Sequence, residues 1–314
     1  MALGIKHKWK EIKDTGYGNN ADNVGTRLLN KDGGANSIKT GVPFFDSISW
    51  FHTLLKMNWL HFIFLLFCLF VVANILFTAI YFVAGIQHLN GIVATNTADD
   101  LSKVFFFSVQ TFTTVGYGHI SPNGFAVSAI SSIEAFSGLL FFALATGLLY
   151  GRFANPKAYI KFSTFALIAP YENGKGLMIR LVTYKNNHLT EAEVKLSLAI
   201  NKVVDGKRKT EFFQLPTEIS KINSLVLSWT IVHPINEDSP LYGFTNDDIT
   251  THQIELLVFI RAFDESFSNT VTSRTSYLYT EFVYGAKFLP MFHRNKNKTE
   301  IEVDKLSDYT AVAL

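Results

Sequence analysis

The 314-residue chain has a single cysteine, Cys68, so it can form neither an internal disulfide framework nor a cysteine-based metal site. It also has little net charge. Its 28 Lys and Arg against 26 Asp and Glu leave +2, which is too small to indicate nucleic acid as a partner. The sequence contains no dinucleotide fingerprint, no glycine-rich phosphate loop and no cluster of reactive side chains. We therefore expect no enzyme activity and no cofactor.

Charge is almost absent from two long stretches, which indicate a membrane protein. Residues 62–86 carry no charge, and residues 124–150 carry one, Glu134. At about 1.5 Å per residue, each stretch exceeds the roughly 30 Å hydrocarbon core of a bilayer. Core helices of a large soluble protein are the alternative, which two uninterrupted runs of this length disfavour. Because charged residues still make up 17% of the chain, we expect a membrane portion joined to a soluble one.

Basic residues flank these stretches unevenly. Residues 1–57 carry eight Lys or Arg, and three more follow the second stretch by residue 161, whereas residues 87–123 carry only Lys103. Cytoplasmic flanks of membrane spans are enriched in Lys and Arg. We therefore expect a multi-pass protein of the cell (inner) membrane with both termini in the cytoplasm.

The connection between the two stretches contains the motif TVGYG. It follows an apolar segment, residues 101–112, that is too short to cross a bilayer but suits a re-entrant helix. Non-helical backbone survives at membrane depth only where protein buries it or where it lines a watery path. Glycines let successive carbonyls align, and carbonyls from four chains can replace the hydration shell of K+. The motif predicts a potassium selectivity filter, with K+ at the carbonyls of Thr114, Val115, Gly116, Tyr117 and Gly118.

From about residue 159 the pattern changes to short β-type runs. The segments MIRLVTY and VKLSLAI alternate between two faces, and Asn, Gly, Pro and Asp separate the runs. This alternation is typical of strands with one buried face, so it predicts a β-sandwich.

Several stretches together resemble the two-span inward-rectifier potassium channels, most closely their prokaryotic members. The similarity runs from about Phe44 to Lys287 and includes FFDSISWFHTLLKMNW, FFFSVQTFTTVGYG, IEAFSGLLFFALATGLLYGRFANPKA and WTIVHPINEDSPLYGFTNDDI. The last of these is specific to this family among potassium channels. The resemblance implies a homotetramer with its pore on the four-fold axis and an immunoglobulin-like cytoplasmic domain that continues the pore.

The expected fold is therefore a tetrameric, membrane α-helical two-span pore module followed by a cytoplasmic all-β immunoglobulin-like sandwich. Before the first span, apolar residues recur at helical spacing, which favours a helix along the membrane surface, and the family has a slide helix there. A short packing helix is the alternative. The expected divisions are an N-terminal segment (1–43), the slide helix (44–57), the pore domain (58–152), the β-sandwich (153–290) and a tail (291–314), flexible or tied to neighbouring subunits.

One face of the second span carries Phe142, Thr146 and Tyr150 at four-residue spacing. The resemblance places Tyr150 at the inner helix crossing, where four bulky side chains can close the pore by excluding water. It places Phe142 where strongly rectifying relatives carry an acid, so we expect weak rectification. Gly138 and Gly147 can let this helix bend or can serve close helix packing, and both interpretations stay open.

Glu134 is the one charged residue within the two spans, and such residues are functional or paired within the bundle. The resemblance places an acid there, near the filter, and favours support of the pore helix over direct contact with the ion. Gln110 stands in the pore helix where many relatives have glutamate, so charge-based bracing is absent at that position.

Lys56, Arg152 and Lys157 are expected at the cytoplasmic headgroup level. Anionic phospholipid or phosphoinositide is therefore a candidate partner, with simple anchoring by the positive-inside rule as the alternative. The sequence predicts a gated potassium channel of inwardly rectifying type. A membrane-tethered sensor with a non-conducting pore is the competing hypothesis, which the intact filter motif disfavours.

Overall fold

The computed structural model describes Gly16, residues 27–43, Asp46 and residues 49–92, 96–204 and 207–314. These residues form two compact units. The helical unit runs from Gly41 to Asn155, and the β unit contains Pro156–Leu314 with the described N-terminal residues through Thr40. The division lies three residues after the predicted end of the pore domain at residue 152.

The helical unit contains four α-helices in its described residues, α1 (Trp50–Lys56), α2 (Trp59–Ala84), α3 (Thr97–Phe112) and α4 (Phe125–Phe153), and a short 3-10 helix (Ile86–His88) after α2. Asn58 caps α2 and Asn96 caps α3, each side chain accepting a hydrogen bond from a backbone N–H of the first turn. In the described part of the chain, α2 and α4 are the helices long and apolar enough to cross a membrane. Many of their large apolar side chains are exposed on the single chain, as helices that face lipid or other chains require.

Helix α1 overlaps the predicted slide helix at residues 44–57. Four residues of that prediction (44, 45, 47 and 48) lie outside the described residues, and the helix assigned here begins at Trp50. None of its side chains is buried, and Trp50 and Phe51 are largely exposed. Exposed aromatic side chains suit a helix lying at a membrane surface.

Helix α3 packs against both long helices. A small core joins Tyr81 of α2, Val104 and Phe107 of α3, and Val127 of α4. At the C-terminal end of α3, the ring centroid of Phe112 lies 5.7 Å from those of both Phe70 and Phe141. Two short strands, β1 (Leu89–Asn90) and β2 (Ser121–Pro122), pair antiparallel and close the loops around α3. These contacts position the TVGYG segment, which follows α3 directly.

The first elements of the β unit are β3 (Ile160–Phe162), β4 (Ala166–Tyr171), β5 (Gly174–Thr183), β6 (Leu189–Val204), β7 (Lys207–Leu215), β8 (Lys221–Ser224), β9 (Ser228–Ile235), α5 (Asn246–Thr251), β10 (Glu255–Asp264), β11 (Asn269–Leu278) and β12 (Phe282–Tyr284). In the described residues, these ten strands form two five-stranded sheets. One has the order β11–β10–β6–β7 with β8 against β6, and the other the order β12–β4–β5–β3 with β9 against β5. A single apolar core, including Leu181, Leu198 and Ile260, takes side chains from both sheets, so the predicted β-sandwich is confirmed.

A buried histidine fixes the loop after β9, within the stretch WTIVHPINEDSPLYGF. Nδ1 of His233 donates to the carbonyl of Pro216 at 2.6 Å, because a carbonyl can only accept. Nε2 of the neutral ring then accepts from Oγ of Ser239 at 2.7 Å, and that oxygen in turn accepts from the N–H of Leu241. Burial lowers the pKa of His233 below its ordinary value. The neutral ring therefore holds this loop on the sandwich.

The segment after residue 290 is folded onto the β unit. Strand β13 (Ala286–Phe288) pairs with β16 (Tyr309–Ala311), and β14 (Phe292–Asn295) pairs with β15 (Lys298–Ile301). The buried guanidinium of Arg180 donates to the carbonyls of Leu289, Lys305 and Leu306 at 2.6, 2.8 and 3.0 Å. The predicted boundary at residue 290, with a separate tail at 291–314, is therefore not a boundary in the structure.

The described part of the N-terminal segment is also bound to the β unit. Arg27 forms an ion pair with Glu281. The backbone N–H groups of Leu28 and Leu29 donate to the carboxylate of Glu255 at 2.9 and 3.3 Å. The hydroxyl of Ser276 donates to the Leu29 carbonyl at 2.5 Å. These contacts attach the N-terminal segment to β10 and β11.

Candidate ion-conduction site

The TVGYG segment begins where α3 ends. The backbone N–H groups of Val115 and Gly116 both donate to the carbonyl of Gln110, at 2.9 and 3.2 Å. The hydroxyl of Thr113 donates to the carbonyl of Val109 at 2.7 Å. These bonds satisfy carbonyls that the last turn of a helix otherwise leaves without partners. The first residues of the segment are thereby fixed to the C-terminal end of α3.

The backbone of the segment alternates in the sign of φ. Thr114, Gly116 and Gly118 have positive φ, of 58°, 54° and 77°, whereas φ is not positive at Val115 and Tyr117. A left-handed conformation is uncommon for threonine and costs free energy, so the surrounding structure must impose it. In an extended strand, successive carbonyls point to opposite sides, and inverting φ at every second residue turns them toward the same side. The segment therefore has the backbone pattern that a line of carbonyl ligands requires.

This chain alone does not enclose the segment. Val115 is 52% exposed and Tyr117 78% exposed. A Cβ built at Gly116 or Gly118 would meet no atom of the described chain within 4 Å. A row of carbonyls from one chain also supplies too few oxygens to surround an ion. The described residues of this chain therefore leave the segment open on the outside.

The residues after the segment are attached to the loop that follows α2. The N–H of Asn123 donates to the carbonyl of His88 at 2.8 Å. Gly91 lies so close to the carbonyl of His119 that a Cβ at this glycine would come within 2.1 Å of the oxygen. With β1 and β2 paired beside them, these contacts hold the segment at its second end.

The predicted gate and cavity residues lie on an exposed face of α4. Phe142, Thr146 and Tyr150 are all exposed on the single chain, Tyr150 by 74%. The Phe142 ring lies 6.4 Å from that of Phe112, the last residue of α3. The structure therefore leaves this face free for other chains or for an aqueous path.

The two predicted hinge glycines differ in their surroundings. A Cβ at Gly138 would lie 1.9 Å from the carbonyl oxygen of Phe112, so α4 approaches the end of α3 only because this residue has no side chain. A Cβ at Gly147 would meet no described atom within 4 Å. Close packing accounts for Gly138, and bending at either glycine stays a prediction.

Glu134 is fully buried between the three helices, one turn before Gly138. Its Oε2 accepts from the hydroxyl of Tyr81 in α2 at 2.6 Å, and its Oε1 accepts from that of Ser108 in α3 at 2.5 Å. This geometry supports the predicted role in holding the pore helix rather than direct contact with an ion. Sequence reasoning missed Tyr81 and Ser108. Their only signal was a hydroxyl in an apolar helix, which does not reveal its partner.

Arg152 connects the end of α4 to α1. Its two terminal nitrogens donate to the carbonyls of Leu54 and Met57, at 2.5 and 2.6 Å, and its guanidinium lies 4.5 Å from the Phe62 ring centroid. The other two predicted lipid-binding residues, Lys56 and Lys157, are exposed. Of the three, Arg152 therefore already has protein partners in the single chain.

Comparison with known proteins gives two family matches. The inward rectifier potassium channel C-terminal domain matches residues 160–314, and the ion channel family matches residues 64–154. Over 271 residues the chain is 32% identical to the inward rectifier potassium channel Kirbac3.1 of Paramagnetospirillum magnetotacticum, covering 85% of this chain and 89% of that protein.

Two animal proteins are similar at lower identity. The inward rectifier potassium channel irk-1 of Caenorhabditis elegans is 27% identical over 89% of this chain and 56% of its own length. The ATP-sensitive inward rectifier potassium channel 12 of Gallus gallus is 26% identical over 80% of this chain and 63% of its own length. Among solved structures, a sporulation control protein from Bacillus subtilis superposes with a TM-score of 0.21 at 8% identity, over 41% of this chain and 50% of that chain. A TM-score this low does not indicate a common fold.

Proposed function

We propose that this chain, which belongs to the inward rectifier potassium channel family, assembles as a homotetramer that conducts K+ passively through the backbone of Thr114–Gly118. The family is one of ion channels, so the chain is a membrane protein and not an enzyme. The observation that carries the proposed site is the alternation of φ at Thr114, Gly116 and Gly118. Four such segments around one axis would supply rings of carbonyl oxygens at the spacing that a dehydrated K+ needs.

The exposed surfaces of the helical unit support the homotetramer. Val115, Tyr117 and Tyr150 are large side chains that this chain leaves uncovered, although they lie on the elements that would surround an axis. Self-association with closed symmetry covers such surfaces in every copy at once. Both termini and the β unit are then cytoplasmic, in keeping with the basic residues that flank the two spans.

The inner end of α4 is the proposed gate. Tyr150 would meet its three copies there and form a dry barrier, with Phe142 and Thr146 lining the cavity above it. Phe142 places no negative charge in that cavity, so the proposed rectification is weak. The cytoplasmic domain and anionic lipid near Lys56, Arg152 and Lys157 are the proposed modulators, and no cofactor is required.

Uptake of radioactive rubidium into liposomes containing the purified protein tests this function directly. We expect rubidium uptake that excess external K+ competes with, and little sodium uptake. Gly116→Ala should abolish selective uptake, because φ of 54° is strained for any residue with a Cβ. Equal sodium and rubidium uptake by the unmodified protein would contradict the filter. Absence of uptake at full incorporation would instead favour a membrane-tethered sensor with a non-conducting pore.

A further inference from the structure

A network of buried hydroxyl, amide and carboxylate groups joins the three helices around the filter segment. Glu134 of α4, Ser108 of α3 and Asn74 of α2 are completely buried, and Tyr81 of α2 is almost so. Glu134 accepts one hydrogen bond from α2, through Tyr81, and one from α3, through Ser108. One carboxylate on α4 therefore bonds to both α2 and α3, which are separated in sequence by residues 85–96.

The network continues along α2. The Ser108 hydroxyl also lies 3.2 Å from both the carbonyl and the side-chain oxygen of Asn74. That carbonyl in turn accepts from the hydroxyl of Thr78 at 2.7 Å. A serine has one hydroxyl proton, and the shorter distance assigns it to Glu134. Asn74 is the second acceptor within reach, so the Ser108 hydroxyl lies beside acceptors on both α2 and α4.

These contacts matter because hydrogen bonds fix the register of apolar helices more sharply than apolar packing does. Lipid tails are as apolar as leucine, so the apolar packing of α3 against α2 and α4 resists a small shift only weakly, whereas sliding or rotating α3 breaks buried hydrogen bonds. Ser108 lies two residues before Gln110, whose carbonyl holds the N–H groups of Val115 and Gly116. A displacement of α3 at Ser108 is therefore transmitted to the first two rings of carbonyls.

We infer that Ser108 and Tyr81, acting through Glu134, are positioning residues that set the preference of the pore for K+ over Na+. None of the three contacts the ion. They hold α3 at the depth and rotation at which the filter carbonyls match the K+ hydration shell, and a looser filter accommodates Na+ as well. This inference rests on the proposed channel function and assigns the determinants of its selectivity beyond the filter itself.

Three variants remove the network with little change in side-chain volume. Ser108→Ala and Tyr81→Phe each delete one hydroxyl, and Glu134→Gln replaces one acceptor oxygen by an amide NH2 that can only donate, so one of the two hydroxyls loses its acceptor on α4. Ser102→Ala is the matched control, because Ser102 also lies in α3 but its hydroxyl donates to the carbonyl of Asp99 within the same helix. Rubidium and sodium uptake are measured for each in liposomes of equal tetramer content.

We expect the rubidium-to-sodium uptake ratio to fall at least threefold in Ser108→Ala and in Tyr81→Phe, and further in Glu134→Gln. Adding either hydroxyl deletion to Glu134→Gln should have little extra effect, because Glu134→Gln has already disrupted the hydrogen-bond network that the three side chains share. Ser102→Ala should keep the original ratio.

An unchanged ratio in both hydroxyl variants would overturn the inference. Failure of both to form tetramers would also overturn it, since the network would then serve assembly and not selectivity. If the unmodified protein showed no selective uptake, that result would contradict the proposed function itself and not only this inference.

Discussion

At the scale of single residues, two glycines in α4 show how the same residue type serves different purposes. Gly138 lets α4 touch the carbonyl of Phe112, at the point where α3 ends and the filter begins. Gly147 lies nine residues later with no described atom near its missing side chain. The sequence could not distinguish the two, since both are glycines in an apolar helix. The distinction arises from where α3 ends, which is a tertiary contact.

This difference predicts opposite outcomes for the same substitution. Gly138→Ala should lower the thermal stability of the purified tetramer, because overpacking against backbone typically costs about 1–3 kcal/mol and the carbonyl cannot rotate away. Gly147→Ala should change stability little. Both are measured as the temperature at which the tetramer dissociates in detergent. An equal loss in Gly147→Ala would show that position 147 packs against another chain.

His233 gives a residue-scale prediction about pH. Burial lowers its pKa below 6.5, so the folded β unit binds the proton less readily than the unfolded chain does. The stabilisation is therefore fully present above about pH 6.5 and declines as the pH falls through that value toward the lowered pKa. His233→Gln should flatten the fall in melting temperature between pH 7.5 and 5.5. His188→Gln, at an exposed position, is the control and should keep the original slope, and an unchanged slope in His233→Gln would contradict the prediction.

At the scale of elements, sequence periodicity predicted what depends on local pattern. The two spans, the short helix before TVGYG and the alternating strands were all indicated by runs and spacings, and the family and fold are confirmed. The strands after residue 290 were missed because FHRN and KTEI have no alternating apolar face and are held instead by pairing with each other. The partners of Glu134 were missed because they come from helices 26 and 53 residues away in sequence.

The contact between α4 and α1 gives an element-scale prediction about lipid. Arg152 donates to two carbonyls near the end of α1, whereas Lys157 is exposed. Lys157→Ala should therefore weaken the response of rubidium uptake to anionic lipid, because a basic residue at an anionic surface contributes about 1 kcal/mol, and should leave uptake in neutral liposomes unchanged. Arg152→Ala should alter both quantities, since it also releases α1 from α4.

Arg152→Lys separates the two roles of Arg152. Lysine keeps the charge but lacks the planar fork that reaches two carbonyls, so this variant should keep the lipid response and still alter uptake in neutral liposomes. Identical uptake of the unmodified protein in neutral and anionic liposomes, at equal incorporation, would leave the basic residues only an anchoring role.

At the scale of the whole molecule, the surfaces that a single chain leaves open are the ones that the proposed conduction path uses. The filter carbonyls, the cavity face of α4 and Tyr150 have their proposed function only when copies meet around an axis. Cross-linking of the purified protein in detergent tests this arrangement. We expect a ladder that ends at four copies, and a ladder that ends at two would contradict the homotetramer.

Closure of the pore is a property of that assembly. Four Tyr150 side chains meeting near the axis would exclude water, and a dry constriction blocks a hydrated ion even without full steric contact. Tyr150→Ala should therefore raise resting rubidium uptake per tetramer without changing the rubidium-to-sodium ratio, because the filter is built from different residues. Tyr150→Phe keeps the aromatic barrier and should behave like the unmodified protein. Unchanged uptake in Tyr150→Ala would move the gate elsewhere, with Phe142 the next residue to substitute, and a changed ratio would mean that the inner end of α4 also governs the filter.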